Sequence, residues 1–510
     1  MMFKWIGGTI WQECLLVVFC VFSVLCAEER VVTLVDAVES ALRGHPEIHI
    51  SREQYTVASE SVREAEAPFD VIMSASLSRV HSYLPLIESS RISYGVDSTR
   101  LDTLGYDIDA SKQFHCGATA IAGVGVIKSG GSHSDTTSPN RGTVYFTVDI
   151  PLLKGAGTMA TTSMLRAAKE ERLASGYDMR NVISRTVLDV IGSYWNCIVA
   201  EHMLEVRNAT EERASKVLEA TKGLVKAGEY AEIQITQSQA FLSDAKVMQV
   251  AAKKAFLVAR RQLALDMGIS YSDFGSLPEV VGEFPRYTED IVTLSVEELI
   301  GVALKQRADM HAVLKREEYS SIMYKMVRNN EKPTFDIDVN VGYSSVEEGK
   351  AGSKLFTSLK KNIGGPNASA TISCQYPLGN RDARAETARY RSMYRQAEIR
   401  REEKARNISA EVEDALEALT MAIEKVRNAI ESSEAISIVS AAEGKKFSAG
   451  ISTVFELVTL EDRVTSARVK YEESGKDYAI ALATLQYAIG DIVKEDDGRF
   501  FFNTGSFVGE

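Results

Sequence analysis

Few residues in this chain stand where bond-making chemistry would need them. His45 and His49 are four apart, a spacing that could share a metal, but Pro46 lies between them and no other ligand is evident. Cys116, Cys197 and Cys374 form an odd set without ligand spacing, which argues against a disulfide framework. Gly123-Val124-Gly125 precedes Lys128-Ser129 but lacks the spacing of a phosphate loop. No catalytic, metal or cofactor-binding residues are therefore expected, and the chain does not read as an enzyme. Polar residues recur instead by parity. Asp336, Asp338, Asn340, Gly342 and Ser344 alternate with Phe335, Ile337, Val339, Val341 and Tyr343. The chemistry this supports is solvation: one face wet, the other apolar.

Four segments carry that alternation. After Pro68, Phe69, Val71, Met73, Ala75 and Leu77 share one parity, against Asp70, Ser74, Ser76 and Ser78, with Ile72 as the exception. Val144, Phe146, Val148 and Ile150 oppose Thr143, Tyr145, Thr147 and Asp149, and run into Pro151-Leu152. Ala368, Ala370, Ile372, Cys374 and Tyr376 oppose Ser369, Thr371, Ser373 and Gln375, and run into Pro377-Leu378. The expected strands cover about 69–78, 143–150, 334–344 and 368–376, near the length of a tilted strand crossing a bilayer. Residues 80–142, rich in Ser, Gly, Asp and Thr, read as a long surface loop. Four strands cannot close a barrel, and an open edge is not tolerated in lipid. Several chains must then share one barrel, and three would supply twelve strands.

Long helices must carry these strands. From Leu152 to about Lys226, and from Leu378 to Ser448, proline is absent and glycine sparse. Such a span is on the order of 100 Å of helix. Ile183, Val187, Val190, Tyr194 and Cys197 step by four and three, as do Val412, Leu416, Leu419, Ile423, Val426 and Ile430. These are heptad seams, so the partner is another helix. Return helices are expected over about 230–267 and 454–489. Phe241, Ala245, Met248, Ala252, Ala255 and Ala259 line the first seam, and Leu460, Val464, Ala467, Tyr471, Tyr478, Leu482, Leu485 and Ile489 the second.

The whole series is written twice. Gly228 and Gly268 are 40 residues apart, as are Gly450 and Gly490. Ala41-Leu42 and Ala303-Leu304, Pro68 and Pro333, and Pro151 and Pro377 fall in the same order before them. Five ordered landmarks, duplicated, mark an internal repeat. The copies are expected over 27–268 and 294–490, with a linker at 269–293 and a loosely held tail at 491–510. The first 26 residues read as an export signal: Lys4, the apolar run Leu15 to Leu25, then a cleavage site before Ala27, with a lipid anchor on Cys26 as the alternative. Charges interrupt every later apolar stretch, so no spanning helix is expected. The net charge of −12 argues against nucleic acid.

On these landmarks the chain resembles the TolC-like outer-membrane efflux channel family over about 33–490. The resemblance implies a mainly helical protein with transmembrane strands. Three copies would complete a twelve-stranded barrel in outer-membrane lipid, with a helical tunnel in the periplasm. It implies a passive conduit for efflux or type I secretion, docked to a periplasmic adaptor and an inner-membrane transporter. Ala227-Gly228 and Ala449-Gly450-Ile451-Ser452-Thr453 match the tips that meet the adaptor. Glu456 falls where the family places a ring of carboxylates at the constriction, and Thr459 takes the second such position, so one cation-favouring ring is implied. Phe447 and Ser452 occupy the positions of the family's polar latch, which is therefore missing. Two other readings remain from the residues alone: a periplasmic coiled-coil scaffold with a soluble sheet, and a surface adhesin using the first loop.

Overall fold

A computed structural model describes residues 31–95, 97–131, 139–270, 279–286, 295–349, 357–359, 363–449, 451–496 and 499–503. The export signal, Gly450, and parts of the linker and the tail lie outside the described residues. The chain divides into two compact units, Met1–Glu53 with Tyr177–Met310 and Glu403–Glu510, and Gln54–Gly176 with His311–Glu402. In chain order the main helices are α1 (Leu34–Gly44), α2 (Pro46–Glu66), α3 (Ser163–Lys226), α4 (Ile233–Asp266), α5 (Val296–Gln306), α6 (Ala308–Asn330), α7 (Arg381–Ser448) and α8 (Val454–Ile489). The two longest, α3 and α7, hold 64 and 68 residues.

In the first unit the heptad seams form the core. Ile183, Val187, Val190, Tyr194 and Cys197 are buried, as are Val412, Leu419 and Val426. Leu416, Ile423 and Ile430 pack against them, half-buried. The duplication is visible in local chemistry. Helices α1 and α5 both start on capping boxes, Thr33 with Asp36 and Ser295 with Glu298, which satisfy end N–H groups reciprocally. Gly268 and Gly490 take left-handed backbones, φ 73° and 82°. A Cβ on Gly268 would stand 2.4 Å from the carbonyl carbon of Gly44, at the end of α1. One on Gly490 would stand 3.2 Å from the backbone of Gln306 and Arg307, at the end of α5. Each return helix thus closes against the first helix of its own copy, and only glycine fits both the conformation and the space. The described part of the tail, 491–496 and 499–503, is held on the core. Strands β7 (Val493–Asp496) and β8 (Arg499–Phe502) pair as a hairpin, Ile492 is fully buried, and Phe502 packs on the core. Ile492, Val493 and Phe502 extend the core beyond the last heptad.

A buried charge cluster sits where α5 meets α6. Arg307 is 3% exposed and grips Asp309 with two bonds, Nε to Oδ1 at 3.0 Å and Nη2 to Oδ2 at 2.7 Å. Its Nη1 donates to Glu411, and its guanidinium lies 5.4 Å from the Tyr487 ring centre. Lys404 Nζ adds 2.6 Å to Asp309 Oδ2.

The second unit holds one antiparallel sheet, in the order β1 (Val71–Pro85), β2 (Ser98–Gln113), β3 (Thr119–Gly131), β4 (Pro139–Pro151), β5 (Thr334–Glu348) and β6 (Gly364–Gln375). The sheet of one chain has six strands where four were expected. The segment 80–142, read as a loop, contains β2 and β3. Its glycines misled because they serve packing. A Cβ on Gly123 would lie 2.4 Å from Tyr145 Cζ, and one on Gly125 would lie 2.8 Å from Asp107 Oδ2. Both positions are extended strand, left bare for neighbouring side chains.

The Arg307 cluster yields a test. Burial pushes the Asp309 carboxyl up, but hydrogen bonds from Arg307 and Lys404 outweigh it and hold the group below the usual carboxylate range. The stability this brings is full above the ordinary carboxylate value and is lost as pH falls through the lowered one. Arg307→Ala leaves Asp309 buried with Lys404 as its remaining cation and the Met310 N–H as a further donor, and should cost about 3–5 kcal/mol. Thermal melts followed by circular dichroism should show a lower midpoint at neutral pH, with the gap to the parent narrowing in acid. An unchanged midpoint would contradict the assignment.

Candidate channel wall and helix tips

Ladder pairing places directly opposed residues on one face of the sheet. One face is apolar across all six strands. A single row runs Met73, Ala110, Ala122, Phe146, Val341, Ala368. The next runs Ala75, Ile108, Val124, Val144, Tyr343, Pro366. Lys112 bounds this belt on one side, opposite Val71, and Arg79 and Lys128 bound it on the other. From Val71 to Arg79 is about 26 Å of strand at ~3.3 Å per residue, matching the apolar band of an outer-membrane barrel. Met73, Leu77, Ile108, Val144, Phe146 and Val341 are all exposed large apolar residues.

The other face is polar. Ser74 and Ser76 oppose Asp109 and Asp107, Thr147 opposes Asn340, and Asp149 opposes Asp338. Asn340 Nδ2 donates to Thr147 Oγ1 at 2.6 Å, and Tyr145 Oη donates to Asp107 Oδ1 at 3.1 Å across the bare Gly123. Ser369, Thr371 and Ser373 continue the face on β6. Asp107, Asp109, Asp149, Asp336 and Asp338 give it acidic character, with Arg141 at the far end of β4. Such a face can hold water and favour cations. Pro151 closes β4 and Pro377 follows β6, ending the ladders where helix must begin. At the second junction Asn380 is left-handed, φ 39°, and its side chain donates to the Glu331 carbonyl at 3.0 Å.

The two helix turns differ. Ala227 and Gly228 end α3, with Gly228 left-handed at φ 78° and Glu229 N donating to Leu224 O at 3.1 Å. After Ala449 in the second turn, Ile451 N donates to Lys446 O at 3.0 Å. Thr453 opens α8 on a capping box with Glu456. The Glu456 carboxylate, expected to face a constriction, accepts from Thr453 N at 3.2 Å. Ser452 Oγ lies 2.5 Å from Glu443 Oε1 and 3.1 Å from Glu456 Oε2, so its one proton serves one of the two. The Ser452 and Lys446 hydrogen bonds hold the Glu443 carboxyl below the usual range. Thr459 is half-buried, its hydroxyl donating to Phe455 O at 2.8 Å.

Two tip residues escaped the sequence reading. Tyr230 Oη donates to the Ser452 carbonyl, joining the first turn to the second. Its ring packs 6.2 Å from Phe447, over a small core of Val217, Phe447, Val454 and Leu457. A phenol from the first copy thus links the two turns. The only sequence signal was divergence of the copies after the glycine. Phe455 and Ile451 are 72% and 78% exposed, on either side of the Thr453 cap. The histidines are engaged with backbone: Glu47 N donates to His45 Nδ1 at 3.2 Å, and His49 Nε2 lies 2.9 Å from Arg43 O. Among the described residues no group of three or more His, Cys, Asp or Glu could hold a metal, and no helix is long and apolar enough to cross a membrane.

Known proteins share this arrangement. The family model described as outer membrane efflux protein matches residues 120–268 and 299–491, one segment in each copy. The outer membrane protein TolC of Vibrio cholerae serotype O1 is 23% identical over 321 residues, spanning 61% of this chain and 68% of that protein. Among solved structures, the outer-membrane channel OprN superposes with a TM-score of 0.68 at 14% identity, covering 90% of each chain. The Campylobacter jejuni CmeC outer membrane channel gives 0.68 at 14% identity, covering 90% of this chain and 85% of its own. The Vibrio cholerae outer membrane protein VceC gives 0.65 at 13% identity, covering 90% and 96%. With its duplicated helices, its two-faced sheet and a family match running through both copies, this chain belongs to the outer membrane efflux protein family.

Proposed function

We propose that this chain, as a homotrimer, is the passive outer-membrane conduit of a three-part exporter. Energy would be supplied by an inner-membrane pump reached through a periplasmic adaptor. The observation that carries this reading is the two-faced sheet, apolar along one side and wet along the other through every strand. A soluble scaffold would cover that apolar face with helices, and an adhesin would not need a continuous polar lining. Family membership supports the same role, since these proteins are outer-membrane efflux channels with helical tunnels in the periplasm. No step of bond chemistry is needed: solute follows its gradient or is pushed.

In this reading the two turns meet the adaptor through Ala227, Gly228, Ala449, Gly450, Ile451, Ser452 and Thr453. The exposed pair Ile451 and Phe455 supplies an apolar contact. Tyr230 holds the tips closed through Ser452, and opening breaks that bond. Glu456 carries two duties, capping α8 and placing one carboxylate per copy at the constriction beside Thr459.

The two duties of Glu456 separate by substitution. Glutamine can still accept from the Thr453 N–H, so Glu456→Gln should keep the melting midpoint while lowering cation preference in planar-bilayer recordings. Glu456→Ala loses the box as well, at about 1 kcal/mol per copy. Unchanged selectivity in both variants would remove Glu456 from the constriction and leave it a cap only. Tyr230→Phe deletes one hydroxyl at the tip and should raise single-channel conductance or open probability. A conductance equal to the parent's would show that Tyr230 does not latch the tip. A purified parent without conductance in any bilayer would overturn the channel reading.

A further inference from the structure

The inserted hairpin β2–β3 changes what three copies would build. We infer that each protomer contributes six transmembrane strands, and that β6 of one copy pairs with β1 of the next to close an eighteen-stranded barrel. This rests on the trimeric channel proposed above and departs from the twelve strands that the resemblance implies.

Four observations carry it. First, the inserted strands have the same two faces as their neighbours. Tyr106, Ile108 and Ala110 on β2 and Ala122, Val124 and Val126 on β3 sit within the apolar rows, while Asp107, Asp109, Gly123 and Gly125 sit on the wet face. An extracellular flap would have no reason to extend the lipid pattern. Second, β2 and β3 span the full height of the sheet. Val71 at the start of β1 pairs with Lys112, and Thr119 at the start of β3 pairs with Asp149 near the end of β4. Third, the sheet has two open edges, β1 and β6, exposed along nearly their whole length. Six strands are too few to close on themselves, and every unpaired backbone group left in lipid costs several kcal/mol. Fourth, neither edge is defended. Val71 to Ser78 on β1 and Asn367 to Cys374 on β6 contain no charge and no proline, the usual devices against edge pairing. The edges run in opposite directions, because the six strands alternate, so joining β6 to the next β1 preserves an antiparallel, even-numbered barrel.

The consequence is width. With strands about 4.8 Å apart and tilted about 40°, eighteen strands give a backbone diameter of ~36 Å, against ~24 Å for twelve. Barrels of that strand number leave an aqueous channel. The barrel would then place no narrow point on cargo, and selection would fall to the helix tips.

The test uses the full mature chain in two arms. In proteoliposomes containing brominated phospholipid, Val124→Trp on the apolar face of β3 should lose most of its added fluorescence, and Ser111→Trp on the wet face of β2 should keep it. Trp195, buried in the helical unit, is the internal reference. In a Cys116→Ser background, the exposed native Cys374 on β6 is paired with a new cysteine at Val71, Met73 or Ala75 on β1. Oxidation at one or more of these should give a ladder ending at the covalent trimer. Quenching at Val124 only, with that ladder, supports eighteen strands. A trimer ladder without quenching at Val124 puts the hairpin outside the membrane and overturns the inference while sparing the channel. Quenching with a ladder ending at two or four copies overturns the strand number. Failure to enter liposomes or to cross-link at any position defeats the channel reading itself.

Discussion

Lipid offers backbone N–H and C=O groups nothing to bond. Any sheet placed there must therefore have no edge. Most features of the second unit follow from that constraint. Apolar rows run without a break from β1 to β6, and the opposite rows carry Ser, Thr, Asn and Asp. The inserted strands obey both patterns, so the insertion lengthens the sheet instead of decorating it. Along Val71–Ser78 and Asn367–Cys374 the edge strands stay free of charge and proline because their partners are meant to arrive from other copies. Strand number then becomes a property of the assembly, fixed by six strands per chain and by symmetry.

The first unit solves a different problem, how to hold very long helices in register. Heptad seams provide the area, yet a seam alone can slip by one repeat. Two devices prevent this, one present in both copies and one in the second copy alone. Gly268 and Gly490 let the return helix touch the backbone of its copy's first helix, which no other residue allows. Arg307, buried with Asp309, Lys404, Glu411 and Tyr487, adds a contact that is costly to break and specific in geometry. The first copy has His45 at the matching position, so the cluster belongs to the second copy alone.

Helices and repeats were legible because their signals are long. A seam such as Val412, Leu419, Val426 repeats often enough to exclude a strand, and those residues are buried as that pattern requires. Strands β5 and β6 were legible through unbroken parity. Strands β2 and β3 were missed because Gly123 and Gly125 look like loop residues until the Tyr145 ring and the Asp107 carboxylate are seen against them. The alternation Tyr106, Ile108, Ala110 was present and would have served. At the tip, Thr453 and Glu456 spell a capping box that could have been read directly. The bond from Tyr230 to Ser452 could not, since it joins residues 222 apart and depends on how two turns meet.

The central claim is the strand count of the assembled barrel. The most direct measurement is single-particle electron microscopy of the purified, full-length assembly in lipid nanodiscs, resolved along the barrel axis. Three copies with eighteen strands, each β6 beside a neighbour's β1, is the expected result. A ring of twelve strands, with β2 and β3 lying outside the bilayer, would contradict it.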